Sequence, residues 1–122
     1  MELHEPTHDW PRPVVHWEIE ATDPEKLRMF YAAMFQWDIG DGPINQIAPG
    51  IGGPEPGPGG HLRQGDRPGV RLYIQVRDLR SSLDRATSLG AVTVAEPFDV
   101  PGGPTLAAIE DPEGNPVVLV QQ

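Results

Sequence analysis

The sequence predicts an α+β protein made of two copies of one β-α-β module that close on each other within a single domain. Two observations carry this expectation. Residues 16–23 read HWEIEATD and residues 71–78 read RLYIQVRD; each alternates polar and apolar side chains and places an Asp seven positions after its first residue. An amphipathic helical pattern follows both times. A shift of 55 residues superposes His16 on Arg71, Ile19 on Ile74, Asp23 on Asp78, Met34 on Leu89 and Ile39 on Val94. Self-similarity at a fixed offset marks a repeated structural unit, and two copies are too few for a solenoid.

Each element follows in order. Residues 1–13 are polar, with three prolines and with His4 and His8, and are expected to form a loosely docked lead-in. The domain then spans 14–122, with module one at about 14–60 and module two at about 69–122. Its first strand, about Val14 to Ala21, puts Trp17, Ile19 and Ala21 on one face and His16, Glu18 and Glu20 on the other. Asp23 before Pro24 starts a helix: a side-chain cap, then a residue whose missing N–H costs nothing there. Leu27, Phe30, Tyr31 and Met34 recur at i, i+3, i+4 and i+7, a stripe expected on the Trp17/Ile19 face. Trp17, Phe30, Tyr31 and Phe35 are assigned to the core. A short strand at Gln36–Ile39 is expected next.

More than half of residues 42–69 are Gly or Pro, which excludes long helices. Short strands near Ile44–Ala48 and Gly50–Gly53 are expected to precede an irregular loop, with His61 and Arg63 exposed on it. Module two opens with strand Val70–Val76, apolar on Leu72, Ile74 and Val76. Asp78 caps a helix with Leu79, Leu83 and Ala86 inward, and Gly90 suits a left-handed C-terminal position. Strands follow at Ala91–Glu96, Thr105–Glu110 and Pro116–Gln121, the last two joined through the turn DPEGN.

Composition narrows the function. A formal charge of −9 argues against nucleic acid, whose phosphates need clustered Lys and Arg. Cysteine is absent, so no disulfide, thiol nucleophile or thiolate metal site is available. No apolar run reaches membrane-spanning length and the start lacks a signal-peptide pattern, so no membrane partner and a cytoplasmic location are expected. There is no GxSxG elbow, and Ser81–Ser82 read as helix surface, which leaves covalent catalysis without a nucleophile.

Strand–DPE–helix with FYAAMF, the second strand with VRDL and its SLG-ending helix, and the terminal DPEGNPVVLVQ together resemble the vicinal oxygen chelate superfamily. That superfamily includes glyoxalase I, extradiol dioxygenases and bleomycin-resistance proteins. The resemblance covers roughly residues 14–122 and is strongest to the small single-domain glyoxalase-like proteins. It implies two βαβββ modules forming an open curved mixed sheet around a cavity, and commonly a homodimer. The motifs belong to the scaffold and say little about reaction.

The resemblance also implies four metal-ligand positions. One falls on His16, a second on Arg71 and a third on Val118; the fourth lies in the Gly/Pro segment, where Glu55 is the nearest carboxylate. A divalent cation needs several deprotonated donors at about 2.0–2.2 Å. Arg71 is permanently protonated and Val118 offers methyl groups, so no metal ligands and no cofactor are expected. A divalent metal recruited by His16 and Glu18 with Tyr73 or Gln75 is the alternative.

The expected ligand-binding residues are His16, Glu18, Glu20, Arg71, Tyr73, Gln75, Glu110 and Val118, with Glu110 at the rim. Arg71 is expected to fork onto a ligand's carboxylate or phosphate or to pair internally with Glu18 or Glu20, and the two coexist if a ligand displaces the pair. His16 is the candidate proton-transfer group. Two functions follow from this. One is a metal-free protein of the glyoxalase/bleomycin-resistance type that binds a small organic molecule; the other is a lyase or isomerase using His16 and a carboxylate, with or without metal.

Overall fold

The computed structural model describes residues 10–42, 44–48 and 57–121. Among them are seven strands and two helices, parallel and antiparallel pairings mixed, which is the expected α+β class. The chain divides into two compact units. One is Val14–Tyr73, and the other is Ile74–Gln122 together with the segment before Val14. No helix among the described residues is long and apolar enough to cross a membrane.

The first unit contains β1 (Val14–Ala21), α1 (Pro24–Phe35), β2 (Ile44–Ile47), β3 (Gly60–Gln64) and most of β4 (Gly69–Gln75). Its strand order is β2-β3-β1-β4. β1 runs parallel to β3 with Glu18 opposite His61 and Glu20 opposite Arg63. Glycine and proline obscure β3 in the sequence, yet His61-Leu62-Arg63 still alternates. His61 and Arg63 are therefore strand residues and not loop residues, and His61 is buried at 7% exposure. The strand expected at Gln36–Ile39 contracts to a bridge between Ile39 and Ile47. Gln36 leaves the helix with a left-handed φ of 61°, and Trp37 turns into the core, so only Ile39 reaches the ladder. The strand expected at Gly50–Gly53 lies outside the described residues.

Asp23 caps α1 as expected, its carboxylate accepting the Lys26 N–H at 3.2 Å. The apolar stripe divides. Leu27 and Tyr31 pack against buried Ile19, Ile39, Ile47 and Leu62, with Trp17 and Trp37 beside them. Tyr31 stacks on Trp37 with ring centres 5.0 Å apart. Phe30, Met34 and Phe35 instead face outward, so Phe30 and Phe35 are not core. A helix touching a sheet along one edge buries about 100° of its surface, and residues three places round fall outside that arc.

Trp17 sets the start of β3. Its ring occupies the space a Cβ on Gly60 would need, and its Nε1–H donates to the Pro58 carbonyl at 2.9 Å. Gly60→Ala is therefore expected to destabilise the protein by about 1–3 kcal/mol, through a displaced indole ring. Urea unfolding measures this; an unchanged midpoint would show that the ring yields freely.

In the second unit, Asp78 accepts the Ser81 N–H at 2.9 Å and caps α2 (Leu79–Ser88). Leu79 and Leu83 bury against Val76, Ala107 and Leu119. Gly90 takes the left-handed conformation expected of it, with φ 101°. The strands β5 (Val92–Asp99), β6 (Thr105–Glu110) and β7 (Pro116–Gln121) lie in the order β7-β6-β5. β5 runs three residues beyond its expected end, through Pro97, which an edge strand tolerates because its outer N–H groups need no partner. Its register slips twice, after Thr93 and after Ala95. Leu72, expected on the apolar face of β4, is exposed. Asp111 organises the last turn, accepting the backbone N–H groups of Glu113 and Asn115, both at 2.9 Å.

Candidate functional site

Three adjacent strands of the first unit build the site. β1 lies between β3 and β4, and the period-two alternation turns His16, Glu18 and Glu20 of β1 to the same face. His61 and Arg63 arrive from β3, and Arg71 and Tyr73 from β4. The centre is Glu18, 2% exposed. Its Oε1 accepts from His61 Nε2 at 2.8 Å, Arg63 Nε at 3.0 Å and the Tyr73 hydroxyl at 3.2 Å. Its Oε2 accepts from Arg63 Nη2 and Arg71 Nη1, each at 3.3 Å. Glu20 takes Arg71 Nη2 at 2.7 Å and Arg63 Nη2 at 3.2 Å on Oε1, and the Arg67 backbone N–H at 2.8 Å on Oε2.

Two carboxylates and two guanidiniums thus neutralise one another. Arg71 makes the internal pair with Glu18 and Glu20 that the sequence allowed. Among the described residues, every buried side-chain nitrogen and oxygen has a hydrogen-bond partner.

The electrostatics follow from the contacts. Burial opposes ionisation of Glu18, but the hydrogen bonds from His61 and Arg63 and the Arg63 charge outweigh it, taking the carboxyl down to about 2. Arg63 is raised in turn, chiefly by its hydrogen bond to Glu18. Burial, then the charge and hydrogen bond of Glu18, push the Tyr73 hydroxyl up to about 12, so it remains a donor. His16 is lowered by burial and by neighbouring His61, against the pull of Glu18.

His16 occupies the border of this network. Its Nε2 lies 2.7 Å from His61 Nδ1, the two rings stacked with centres 4.9 Å apart, and the Tyr73 ring stands edge-on at 5.1 Å. His16 also lines an open cleft of about 480 Å³ with Asp38, Gly40, Gln46 and Gly60 among its other walls. The chain therefore connects a solvent-reachable imidazole to a buried, ionised carboxylate through a second imidazole.

Of the expected residues, His16, Glu18, Glu20, Arg71 and Tyr73 come together. Gln75, Glu110 and Val118 belong to the second unit. There the Gln75 N–H donates to the Pro13 carbonyl at 3.0 Å, Glu110 pairs with Pro116 and Val92, and Val118 is buried opposite Ala108. Glu55 and the two N-terminal histidines lie outside the described residues. Sequence reading missed His61 and Arg63, and the alternation His61-Leu62-Arg63 was the signal available for both. Among the described residues, no three of His, Asp and Glu are grouped so as to hold a metal ion.

This fold defines a class, the small α+β proteins of glyoxalase-like architecture. Residues 16–120 match the model of the glyoxalase-like domain, and the chain belongs to that family. A glyoxylase-like domain-containing protein of Didymella fabae is 29% identical over 108 residues, covering 80% of this chain and 84% of its own. Among solved structures, a glyoxalase/bleomycin resistance protein/dioxygenase superfamily member from Vibrio splendidus 12B01 superposes with a TM-score of 0.65 at 14% identity, over 92% of this chain and all of that one. Methylmalonyl-CoA epimerase from Mycobacterium tuberculosis superposes at 0.60 with 18% identity, over 93% of each chain. At such identities these structures establish the fold alone.

Proposed function

We propose that this protein binds a small organic molecule in the His16 cleft and moves a proton on it, as an isomerase or lyase that needs no resident divalent metal. The observation that carries this reading is the position of His16. It faces a cleft while its ring is braced through His61 against an ionised carboxylate, the arrangement of a base held by an orienting partner. Its lowered proton affinity keeps it neutral, and so able to accept a proton, near pH 7. Glu18 is too tightly held by cations to serve as the base itself. Structural neighbours of the same fold include methylmalonyl-CoA epimerases, which is an isomerase chemistry.

The donor set does not fit a divalent ion. Arg71 occupies one inherited ligand position and spends its guanidinium on Glu18 and Glu20, and a second guanidinium, Arg63, shares both carboxylates. A cation placed there would meet two fixed positive charges and no free carboxylate. The small-molecule partner, the homodimer and the cytoplasmic location form part of the same reading, supported by the family and the composition.

The test is exchange of carbon-bound hydrogen for deuterium. The purified protein is incubated in D2O with a panel of small carbonyl compounds bearing an acidic C–H, and exchange is followed by NMR. One or more compounds are expected to exchange, undiminished by a chelator, and His16→Ala is expected to slow that exchange by about 100-fold or more. Compounds that raise Tm without exchanging would favour ligand binding without chemistry. A stoichiometric divalent ion held through His16 would overturn the metal-free part.

A further inference from the structure

We propose that His61 is a positioning residue that fixes the tautomer of His16, so that the His16 Nδ1 lone pair is presented to the cleft. The inference rests on the reading of His16 as the proton-transfer group, and it follows from the direction of two hydrogen bonds. Glu18 is an acceptor only, since Arg63 and Arg71 both contact its carboxylate. The contact of 2.8 Å between His61 Nε2 and Glu18 Oε1 therefore requires the proton on His61 Nε2. In neutral His61 the other nitrogen, Nδ1, is then a lone pair. The contact of 2.7 Å between that nitrogen and His16 Nε2 requires His16 to donate. With its proton on Nε2, neutral His16 keeps its lone pair on Nδ1, the ring nitrogen left for the cleft that His16 lines.

The groups around His61 come from three strands. β1 contributes His16 and Glu18, β3 contributes Arg63 along its own strand, and β4 contributes Tyr73, whose ring centre is 5.9 Å away and whose hydroxyl is spent on the same Glu18 oxygen. Parallel pairing of Glu18 with His61 in the β1–β3 register holds carboxylate and ring together along adjacent backbones.

The same chain defines the proton's path. When a substrate C–H bond breaks, its proton forms a bond to His16 Nδ1. The His16 Nε2–H bond then breaks as a bond forms to His61 Nδ1, and the positive charge comes to rest on His61 against ionised Glu18. One proton enters, one moves across the 2.7 Å contact, and no electrons leave the pair of rings. The substrate keeps the electron pair of the broken bond, and the reverse sequence returns the proton.

NMR of the histidine-15N-labelled full chain at neutral pH tests this without requiring turnover. The expected result is a proton bonded to His16 Nε2 with a through-hydrogen-bond coupling to His61 Nδ1, and an unprotonated His16 Nδ1. A proton found on His16 Nδ1, or on His61 Nδ1 in the resting protein, would overturn the inference. In the deuterium assay, His61→Ala is expected to lower exchange on the order of 10–100-fold. His61→Asn, whose side-chain oxygen can replace Nδ1 as acceptor, is expected to recover part of that loss and to restore a single His16 tautomer. Exchange lost in His16→Ala but unchanged in His61→Ala would overturn this inference and leave the proposed function standing. Exchange undiminished in His16→Ala would overturn the proposed function itself, while the tautomer measurement still reads the His16–His61 contact separately.

Discussion

Replacing Glu18 with alanine is expected to lower folding stability by about 3–5 kcal/mol, the scale of breaking a buried charge pair from one side. Five donor contacts converge on that carboxylate, from His61, Arg63, Arg71 and Tyr73. Alanine leaves the His61 Nε2–H and the Tyr73 hydroxyl without the acceptor they share. It also leaves two guanidiniums to share Glu20 alone. Glu18→Gln is expected to cost less, because the amide oxygen still accepts from Arg63 while its NH2 opposes another donor. Arg71→Met is expected to cost least, since Arg71 is partly exposed and Arg63 still contacts both carboxylates. Urea unfolding midpoints, with m-values to confirm a comparable unfolding transition, give the order. A loss below about 1 kcal/mol for Glu18→Ala would mean that solvent screens the network as it does a surface pair.

Acid is expected to remove a comparable amount. Glu18 ionises at about 2 in the fold against an ordinary 4.5, so the folded state holds fewer protons than the unfolded chain between those values. The stabilisation, about 3 kcal/mol, is present above 4.5 and is lost as pH falls from there through about 2. His16 adds to the same limb. Its proton affinity is lowered in the fold, so the unfolded chain takes up a proton first as pH drops below 6.5, and stability begins to fall there. The urea midpoint should decline slightly from pH 7 to 5 and steeply from pH 4.5 downward. In Glu18→Gln the steep lower limb should flatten. A wild-type midpoint that stays level between pH 5 and 3 would contradict a strongly held Glu18.

The parts of this protein legible in its sequence were those in which neighbouring residues act on one another. Asp23 and Asp78 cap their helices because a carboxylate three residues from a free N–H needs no distant partner. β6, β7 and the Asp111 turn follow for the same reason: short apolar runs flanking a turn whose glycine has a positive φ are local properties. The face shared by His16, Glu18 and Glu20 was equally readable, since a strand's period of two is fixed by its backbone.

Tertiary structure alone decided what that face meets. The parallel pairing of β1 with β3 brings His61 and Arg63 across more than forty residues of sequence, and Trp17 seats that strand by lying over Gly60. Apart from the short alternation His61-Leu62-Arg63, nothing between residues 42 and 69 announces this, because glycine and proline weaken local preference and leave the strand's position to packing. The division of the α1 stripe is likewise a matter of contact: helical spacing names an apolar arc, and only the sheet beneath determines which edge of it is covered. A sequence specifies which side chains can reach a surface; the distances over which charge and hydrogen bonding act, a few ångströms, exist only once separate strands have been brought together.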